Sequence, residues 1–303
     1  MRMLWFLFTG FMFVIAAAAQ GAELPWPVRL RQDLDRIAQI EWRLRSAAGN
    51  ACPANSADIG IVFDDRRAYD KRDWPLIDRV LGMRERTVVA AVAVGGPAEL
   101  AGFMAGDEIE MIGGETVPDI SARRNAGQLV ADALIDEIAA YPQGGSIEFV
   151  IRRDDAMLTL RVRPVTHCAA RIVLVAKRGI DAYSDQRNAA LTTGLVTFAR
   201  NDDELAMAAG HELAHIINGD RRGAGISRRR AMEDAADDLG LRLLRCAGFD
   251  PGQALLLFHR LGKRDWLGFL NAPTHRSYGK RVERLQAQAY VAPAAVQCPI
   301  VKE

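Results

Sequence analysis

The chain has 303 residues, of which half are hydrophobic and a quarter are charged. Its 39 lysines and arginines almost balance its 38 aspartates and glutamates, so the formal net charge is +1. This balance gives no overall basic field that could hold nucleic acid or an anionic membrane. The length and apolar content suit two modest domains behind a short leader.

The first 19 residues are typical of an export signal. Arg2 precedes an apolar run from Met3 to Ala19, and small residues at positions 17 and 19 suit cleavage by signal peptidase. The run is short for a membrane-spanning helix, which needs about 20 apolar residues. We therefore predict a signal peptide at 1–19 and a periplasmic or secreted bacterial protein with no further membrane span. A membrane-anchored protein is the alternative if the leader is not cleaved.

The segment 20–57 is predicted to be helical. Leucines and isoleucines recur at helical spacing, with arginine and aspartate between them, at Leu30, Leu34, Ile37, Ile40 and Leu44. Such an amphipathic helix must pack its apolar face on something. Either a domain of this chain or a sister subunit would serve, so an oligomer remains open.

A glycine-rich block occupies the middle of residues 58–166. The run GGPAELAGFMAGDEI at 95–109 is followed by a turn near 113–114, a helical stretch at 128–140 and strand-like runs at 146–152 and 157–165. This order resembles bacterial PDZ domains. The resemblance implies a β-rich domain at 58–166 that binds peptides by β-augmentation.

The same resemblance implies where a peptide ligand would bind. Ile59, Gly60 and Ile61 match the loop whose backbone N–H groups hold the carboxyl terminus of a peptide. Extra residues between Asp64 and Arg86 lengthen the block. A PDZ domain that is kept as a spacer or regulator and binds nothing is the alternative.

The five residues at 211–215 read His-Glu-x-x-His. On a helix, His211 and His215 project from adjacent turns, so both imidazoles can reach one metal ion. A helix is expected because Asn201 and Glu204 have capping-box spacing. Glu212 falls within an apolar stripe, where burial of a carboxylate is costly without a compensating partner. By itself, the motif could also be a solvated helix face.

A second predicted helix supplies a third ligand, which a catalytic zinc site requires. Glu233 is the candidate, and Asp237 lies one turn further along on the same face. A carboxylate there can accept the distal N–H of a zinc-bound imidazole and fix its tautomer. Gly240 costs about 1 kcal/mol in a helix interior, so it indicates a close helix–helix approach. An acidic solvated face is the alternative for Glu233 taken alone.

These two helices and the sequence Ala-Gly-Phe-Asp-Pro at 247–251 resemble the gluzincin peptidases that include HtpX, BepA and the CAAX prenyl proteases. The resemblance covers roughly residues 170 to 290. It implies one zinc ion per chain, bound by His211, His215 and Glu233. It also implies that Glu212 is the general base that activates water for peptide hydrolysis.

Further residues match elements of the same family. The segment from Asn188 is similar to the family's Asn-Ala strand, which implies an edge strand for substrate that includes Asn188, Ala189 and Gly194. His275 matches a histidine that would stabilise the oxyanion or plug the open metal position, with a structural histidine as the alternative. Arg281 would form an ion pair with the site, or would be solvated.

Four cysteines are few, widely spaced and without a Cys-x-x-Cys motif, and they allow three pairings. We favour Cys52–Cys168 and Cys246–Cys298, because each pair would link the ends of one proposed domain. A disulfide that closes so long a loop contributes about 4 kcal/mol. Four buried free thiols are the alternative, which an oxidising compartment disfavours.

The sequence therefore predicts an α+β protein. A mainly helical, zincin-type metallopeptidase domain at 167–303 would follow the β-rich PDZ domain. The predicted function is an exported zinc endopeptidase for unfolded or envelope proteins, in which the PDZ domain captures substrates or regulates. A non-catalytic PDZ adaptor or chaperone on a zincin scaffold is the rival, and a zinc hydrolase of non-protein amides is a third reading. Glu212 beside a full ligand set favours catalysis.

Overall fold

A computed structural model gives the fold of residues 24–220, 225–264, 276–289 and Cys298. The predicted signal peptide and His275 lie outside these described residues. Within them, helices and sheets are mixed, which agrees with the predicted α+β class. No helix in the described ranges is both long enough and apolar enough to cross a membrane.

The first described element is a long helix, α1 (Trp26–Ala48), that touches both halves of the chain. It buries apolar side chains in the carboxyl-terminal core, namely Ile37, Ile40 and Leu44. On the other half, the Gln39 side chain donates to the carbonyl of Val92 at 3.0 Å and accepts from the N–H of Val94 at 2.9 Å. The helix predicted from the leucine spacing is therefore present, and it packs on this chain's own two halves.

Six strands of the amino-terminal half form one antiparallel sheet. They are β2 (Ile61–Asp64), β3 (Val88–Val92), β4 (Glu108–Ile112), β5 (Glu115–Thr116), β6 (Ile147–Arg153) and β7 (Ala156–Val162). The order is β2-β3-β4-β6-β7, and β5 pairs with β4. Alternate residues of β6 point into the core, so Ile147, Phe149 and Ile151 are fully buried.

Four helices accompany this sheet: α2 (Trp74–Leu81), α3 (Pro97–Leu100), α4 (Val117–Ala122) and α5 (Val130–Ala139). α5 buries Leu134 and Ile138 against the sheet in a hydrophobic core of its own. A separate ribbon of β1 (Asn55–Asp58) and β8 (Val165–Cys168) brackets the sheet at both ends in sequence. The amino-terminal half thus has its own core, distinct from the one that α1 joins.

The carboxyl-terminal half is mainly helical around a small sheet. Its strands are β9 (Arg171–Val175), β10 (Ala182–Ser184) and β11 (Asn188–Thr192). Its helices are α6 (Thr193–Phe198), α7 (Asp202–Asn218), α8 (Ile226–Cys246), α9 (Pro251–Ala254), α10 (Leu256–Arg264) and α11 (Tyr278–Ala289). The predicted disulfides Cys52–Cys168 and Cys246–Cys298 are both formed.

The edge strand predicted at Asn188 is not an edge. β11 lies between β10, its antiparallel partner, and β9, its parallel partner. Asn188 and Ala189 therefore have neighbours on both sides, and Gly194 belongs to helix α6. The prediction was wrong because the segment before Asn188 shows no strand pattern in the sequence. In the structure this segment forms β10, which pairs with β11 as a hairpin.

Helix α7 begins as the sequence predicts. The Asn201 side chain accepts from the N–H of Glu204 at 3.0 Å, and the Glu204 carboxylate reaches back to the N–H of Arg200 at 2.8 Å. Arg260 of α10 forms a bidentate ion pair with Glu204, which is fully buried. This buried pair ties the start of α7 to the carboxyl-terminal helices.

Helices α7 and α8 meet at two glycines. A Cβ atom on Gly240 would lie 2.9 Å from the backbone nitrogen of His211 and 3.1 Å from the carbonyl carbon of Gly210. The first contact is shorter than real Cβ contacts and the second is tighter than most of them, so an added side chain would push the two backbones apart. The close approach predicted for Gly240 is therefore present, and Gly210 is its partner on α7.

We expect Gly240→Ala to destabilise the protein by about 1–3 kcal/mol, because the added methyl group must push the two helices apart. Chemical denaturation of both proteins measures this difference. Gly279→Ala is the matched control, since Gly279 is also helical but has open space around its Cβ position. A Gly240→Ala protein as stable as the Gly279→Ala protein would contradict the tight contact.

Candidate metal centre

Two histidines of α7 and one glutamate of α8 converge at a single point. The Nε2 atoms of His211 and His215 are 3.2 Å apart. The Oε2 atom of Glu233 lies 3.3 Å from the first and 3.5 Å from the second. The structure thus brings together the three ligands predicted from sequence, as a group that could hold a metal ion.

The spacing of these three atoms suits zinc. Zinc–nitrogen and zinc–oxygen bonds of about 2.0–2.1 Å place neighbouring donors of a tetrahedron about 3.3–3.4 Å apart. The three observed separations bracket that value. Two imidazoles and one carboxylate are also a donor set found in catalytic zinc sites, where three protein ligands leave the fourth position for water or substrate.

The distal nitrogen of each imidazole contacts a carboxylate. His211 Nδ1 lies 3.0 Å from Asp237 Oδ1, and His215 Nδ1 lies 2.8 Å from Asp220 Oδ2. If each Nδ1–H donates to its carboxylate, both Nε2 lone pairs face the Glu233 oxygen. Three electron-rich atoms at this distance repel one another, so a metal ion or a proton between them would stabilise the arrangement.

The pKa values of both histidines are raised, which shows that the site favours a positive charge. Burial lowers the pKa of His215, but hydrogen bonds with Glu233 and Asp220 outweigh burial and raise the pKa to about 9. Burial likewise opposes protonation of His211, and its hydrogen bonds with Asp237 and Glu233 raise its pKa above the ordinary value. In the absence of a metal ion, a proton would supply the charge.

Arg281 forms an ion pair with Asp237. The Asp237 carboxylate is almost fully buried, and it accepts from Arg281 Nε at 2.9 Å. Burial tends to raise the pKa of Asp237, but hydrogen bonds with His211 and Arg281 hold it well below the usual range. The guanidinium also lies 4.0 Å above the Phe258 ring, a cation–π contact that helps to keep it in place.

Glu212 is buried beside the three ligands, with 9 % of its surface exposed. Its Oε2 atom accepts a hydrogen bond from the hydroxyl of Ser184 on β10 at 2.8 Å. The cost of burying a carboxylate in an apolar stripe is thus reduced by a donor from the sheet. His275, the other predicted catalytic residue, lies outside the described residues.

Sequence reasoning missed two contributors, Asp220 and Ser184. Gly219 adopts a left-handed conformation that ends α7, and this reversal returns the Asp220 carboxylate to His215. The Gly-Asp pair directly after helix α7 was a local signal that could have found it. Ser184 had no such signal, because its position depends on the pairing of β10 with β11.

One N–H of the loop predicted to hold a peptide carboxylate already has an acceptor in this chain. Ile59 and Ile61 are buried, and the Gly60 N–H donates to Asp58 Oδ1 at 2.9 Å. Asp58 Oδ2 in turn lies 2.7 Å from Arg45 Nη1. Burial opposes ionisation, but Arg45 and His167 outweigh it and lower the pKa of Asp58 to about 2.

The comparisons with known proteins agree with this centre. The model of peptidase family M48 matches residues 159–227, which include α7 and both histidines. This match supports a metallopeptidase of that family, whose members usually bind zinc. No curated protein matches the chain.

Among solved structures, the chain is similar to an HtrA-type protease, AlgW with decapeptide, at 20 % sequence identity and a TM-score of 0.27. That similarity covers 36 % of this chain and 29 % of the other, so it spans less than a third of that protein.

We expect Asp220→Asn and Asp237→Asn each to weaken zinc binding about 10- to 100-fold, because each amide replaces the carboxylate that orients an imidazole. Competition with a fluorescent chelator measures the affinity. Asp238→Asn is the matched control, because Asp238 also lies on α8 but pairs with Arg284 and Gln288. Equal zinc affinity in all three variants would contradict the orienting role.

Zinc binding should release protons at pH 7. Because the pKa of His215 without a cation is about 9, its ring is protonated below that pH and zinc must displace the proton. The apparent zinc affinity should therefore fall as the pH is lowered from about 9 to about 6. Calorimetry in two buffers of different ionisation enthalpy counts the released protons. A count of zero at pH 7 would contradict the raised pKa.

Proposed function

We propose that this chain is an exported, zinc-dependent endopeptidase. The observation that carries the proposal is the convergence of His211, His215 and Glu233 beside the buried carboxylate of Glu212. A structural zinc site has four protein ligands. A hydrolytic zinc site has three protein ligands and a base nearby. The match to peptidase family M48 supports the same reaction class.

The proposed chemistry assigns a task to each group. Bound zinc would polarise the scissile carbonyl and make water acidic enough to ionise near neutral pH. Glu212 would accept the proton of the attacking water and then deliver it to the leaving amine nitrogen. The carbon–oxygen bond would form first, and the carbon–nitrogen bond would break once the amine nitrogen has received the proton. Asp237 and Asp220 would hold the two imidazoles so that their Nε2 atoms stay directed at the ion.

Unfolded or envelope proteins are the proposed substrates. The side chains of the three ligands are only 9–17 % exposed, so the centre is recessed in the protein. A folded protein surface would not reach such a centre, whereas an extended chain segment could. Export is supported by the signal-like leader and by both disulfides, which persist in oxidising compartments.

We further propose that residues 58–166 form a PDZ-like module. The order of strands and the helix α5 beside strand β2 support the proposal. A cleft of about 880 Å³ is lined by Ile61 and Phe63 of β2 and Ile135 of α5, and also by residues of α1 and of the carboxyl-terminal half. Because the Gly60 N–H already donates to Asp58, we propose that this cleft binds an extended internal segment and not a free carboxyl terminus.

A non-catalytic adaptor or chaperone remains the rival function. Both functions would use the cleft, but they differ in the consequence of removing Glu212. An adaptor has no use for a base beside its metal, so its activity would be unchanged.

The decisive test is proteolysis by the purified, zinc-loaded mature chain. We expect wild type to cleave a reduced, unfolded protein and a chelator to stop cleavage. Glu212→Gln should retain zinc and lose at least about a hundredfold in rate, because the amide cannot accept the proton. Glu233→Ala should lose zinc as well as activity, because it removes one of the ligands. Gel analysis and elemental analysis give both results.

Asp202→Asn is the matched control for Glu212→Gln, because Asp202 lies on the same helix but is 52 % exposed. It should cleave at the wild-type rate. Cleavage by Glu212→Gln as fast as by wild type would exclude the proposed mechanism. Substrate binding without cleavage in wild type would favour the adaptor.

A further inference from the structure

The hydroxyl of Ser184 lies 2.8 Å from Glu212 Oε2, and nothing in the ligand arrangement requires this contact. We propose that Ser184 is a positioning residue: its hydroxyl holds the Glu212 carboxylate in the orientation that proton transfer needs. The inference rests on the proposed peptidase function and adds a residue to it.

The hairpin that carries Ser184 is fixed at its turn. The Asp185 carboxylate accepts from the N–H groups of Arg187 at 2.6 Å and of Asn188 at 2.7 Å. Burial opposes ionisation of Asp185, but these backbone hydrogen bonds outweigh it and lower the pKa. The turn therefore sets the distance from β11 to Ser184.

The other end of the hairpin is fixed as well. The Thr192 hydroxyl lies 2.6 Å from the carbonyl of Gly179, and it also accepts from the N–H of Asp181. Lys177 forms an ion pair with Asp181 at 2.9 Å. Strand β10 is thus held before and after Ser184, so its hydroxyl is presented from a rigid support.

The Ser184 hydroxyl is not needed for strand pairing. The bonds from Asp185 N to Asn188 O and from Thr192 N to Asp181 O mark residues 185 and 181 as hydrogen-bonded positions. In an antiparallel pair these positions alternate, so the backbone of residue 184 points away from β11. Removing the hydroxyl should therefore leave the hairpin intact and change only the contact with Glu212.

The contact constrains the one loose torsion of the glutamate. The terminal torsion of a glutamate side chain is broad and roughly two-fold, so an unheld carboxylate rotates easily. Ser184 fixes Oε2, while Oε1 has no hydrogen-bond partner among the residues that the structure describes. Oε1 is then the oxygen that would face water and accept its proton.

A neutral donor suits this task better than a cation. A lysine or arginine at residue 184 would stabilise the ionised carboxylate strongly and make it a weaker base. A hydroxyl donates one hydrogen bond without adding charge. Ser184 can therefore orient Glu212 without bringing a further charge to the site.

The test compares zinc-loaded wild type with Ser184→Ala, Ser184→Thr and the double variant Ser184→Ala/Glu212→Gln. We expect Ser184→Ala to lower kcat about tenfold or more, with KM and zinc content within about twofold of wild type, because only the orientation of the base is lost. Ser184→Thr keeps a hydroxyl and should restore most of the rate. In the Glu212→Gln background, Ser184→Ala should have no further effect.

Thr197→Ala is the matched control, because it removes a hydroxyl that bonds only to the backbone of α6. It should behave as wild type. A second measurement is the affinity for acetohydroxamic acid, a small zinc ligand whose hydroxyl would donate to Glu212. Ser184→Ala should bind it several times more weakly than wild type.

Two results would overturn the proposal. One is a Ser184→Ala protein with wild-type kcat and wild-type acetohydroxamic acid affinity. The other is an equal loss in the Glu212→Gln background, since Ser184 would then act independently of the base. If wild type itself cleaves no protein, the proposed peptidase function fails, and the acetohydroxamic acid affinities still decide whether Ser184 positions Glu212.

Discussion

The contact between α7 and α8 at Gly210 and Gly240 is the constraint on which the rest of the centre depends. With 2.9 Å between a Gly240 Cβ position and the His211 backbone, there is room for no side chain at the crossing. This contact brings Glu233 and Asp237 of α8 within reach of the histidines of α7. A wider separation would move the Glu233 oxygen out of reach of a metal ion whose bonds are about 2 Å long.

Charge balance explains the surroundings of that contact. Glu233, Asp237 and Asp220 bring three carboxylates to two imidazoles, and among the described residues Arg281 and Arg284 both pair with Asp237. The pKa values of both histidines are raised, which shows that positive charge is still lacking at this position. A divalent cation would supply the missing positive charge and leave both rings neutral, as metal ligation requires. The side chains of the centre therefore carry an excess of negative charge, which a bound metal ion would neutralise.

The sequence was informative where chemistry is local to a helix. His211, His215, Glu233 and Asp237 were predicted from their spacing together with the resemblance to the gluzincin peptidases, since the helical repeat fixes which residues share a face. Ser184 and the central position of β11 were not found, because strand pairing joins segments whose register a short polar sequence does not specify. Asp220 lay in between: its glycine turn was visible, but its contact with His215 depends on how tightly the chain reverses.

The loop at Gly60 shows how a shared residue can restrict function. Asp58 accepts from Gly60, and it also pairs with Arg45 of α1, whose Nε donates to the carbonyl of Cys168 at 2.8 Å. The carboxylate thus binds one N–H of the loop and pairs with α1, and Arg45 in turn links α1 to strand β8. A peptide carboxylate that took the Gly60 N–H would have to displace Asp58 Oδ1, although Asp58 Oδ2 could keep its pair with Arg45. This competition for the Gly60 N–H is the reason why we propose an internal segment, and not a free carboxyl terminus, as the ligand of the neighbouring cleft.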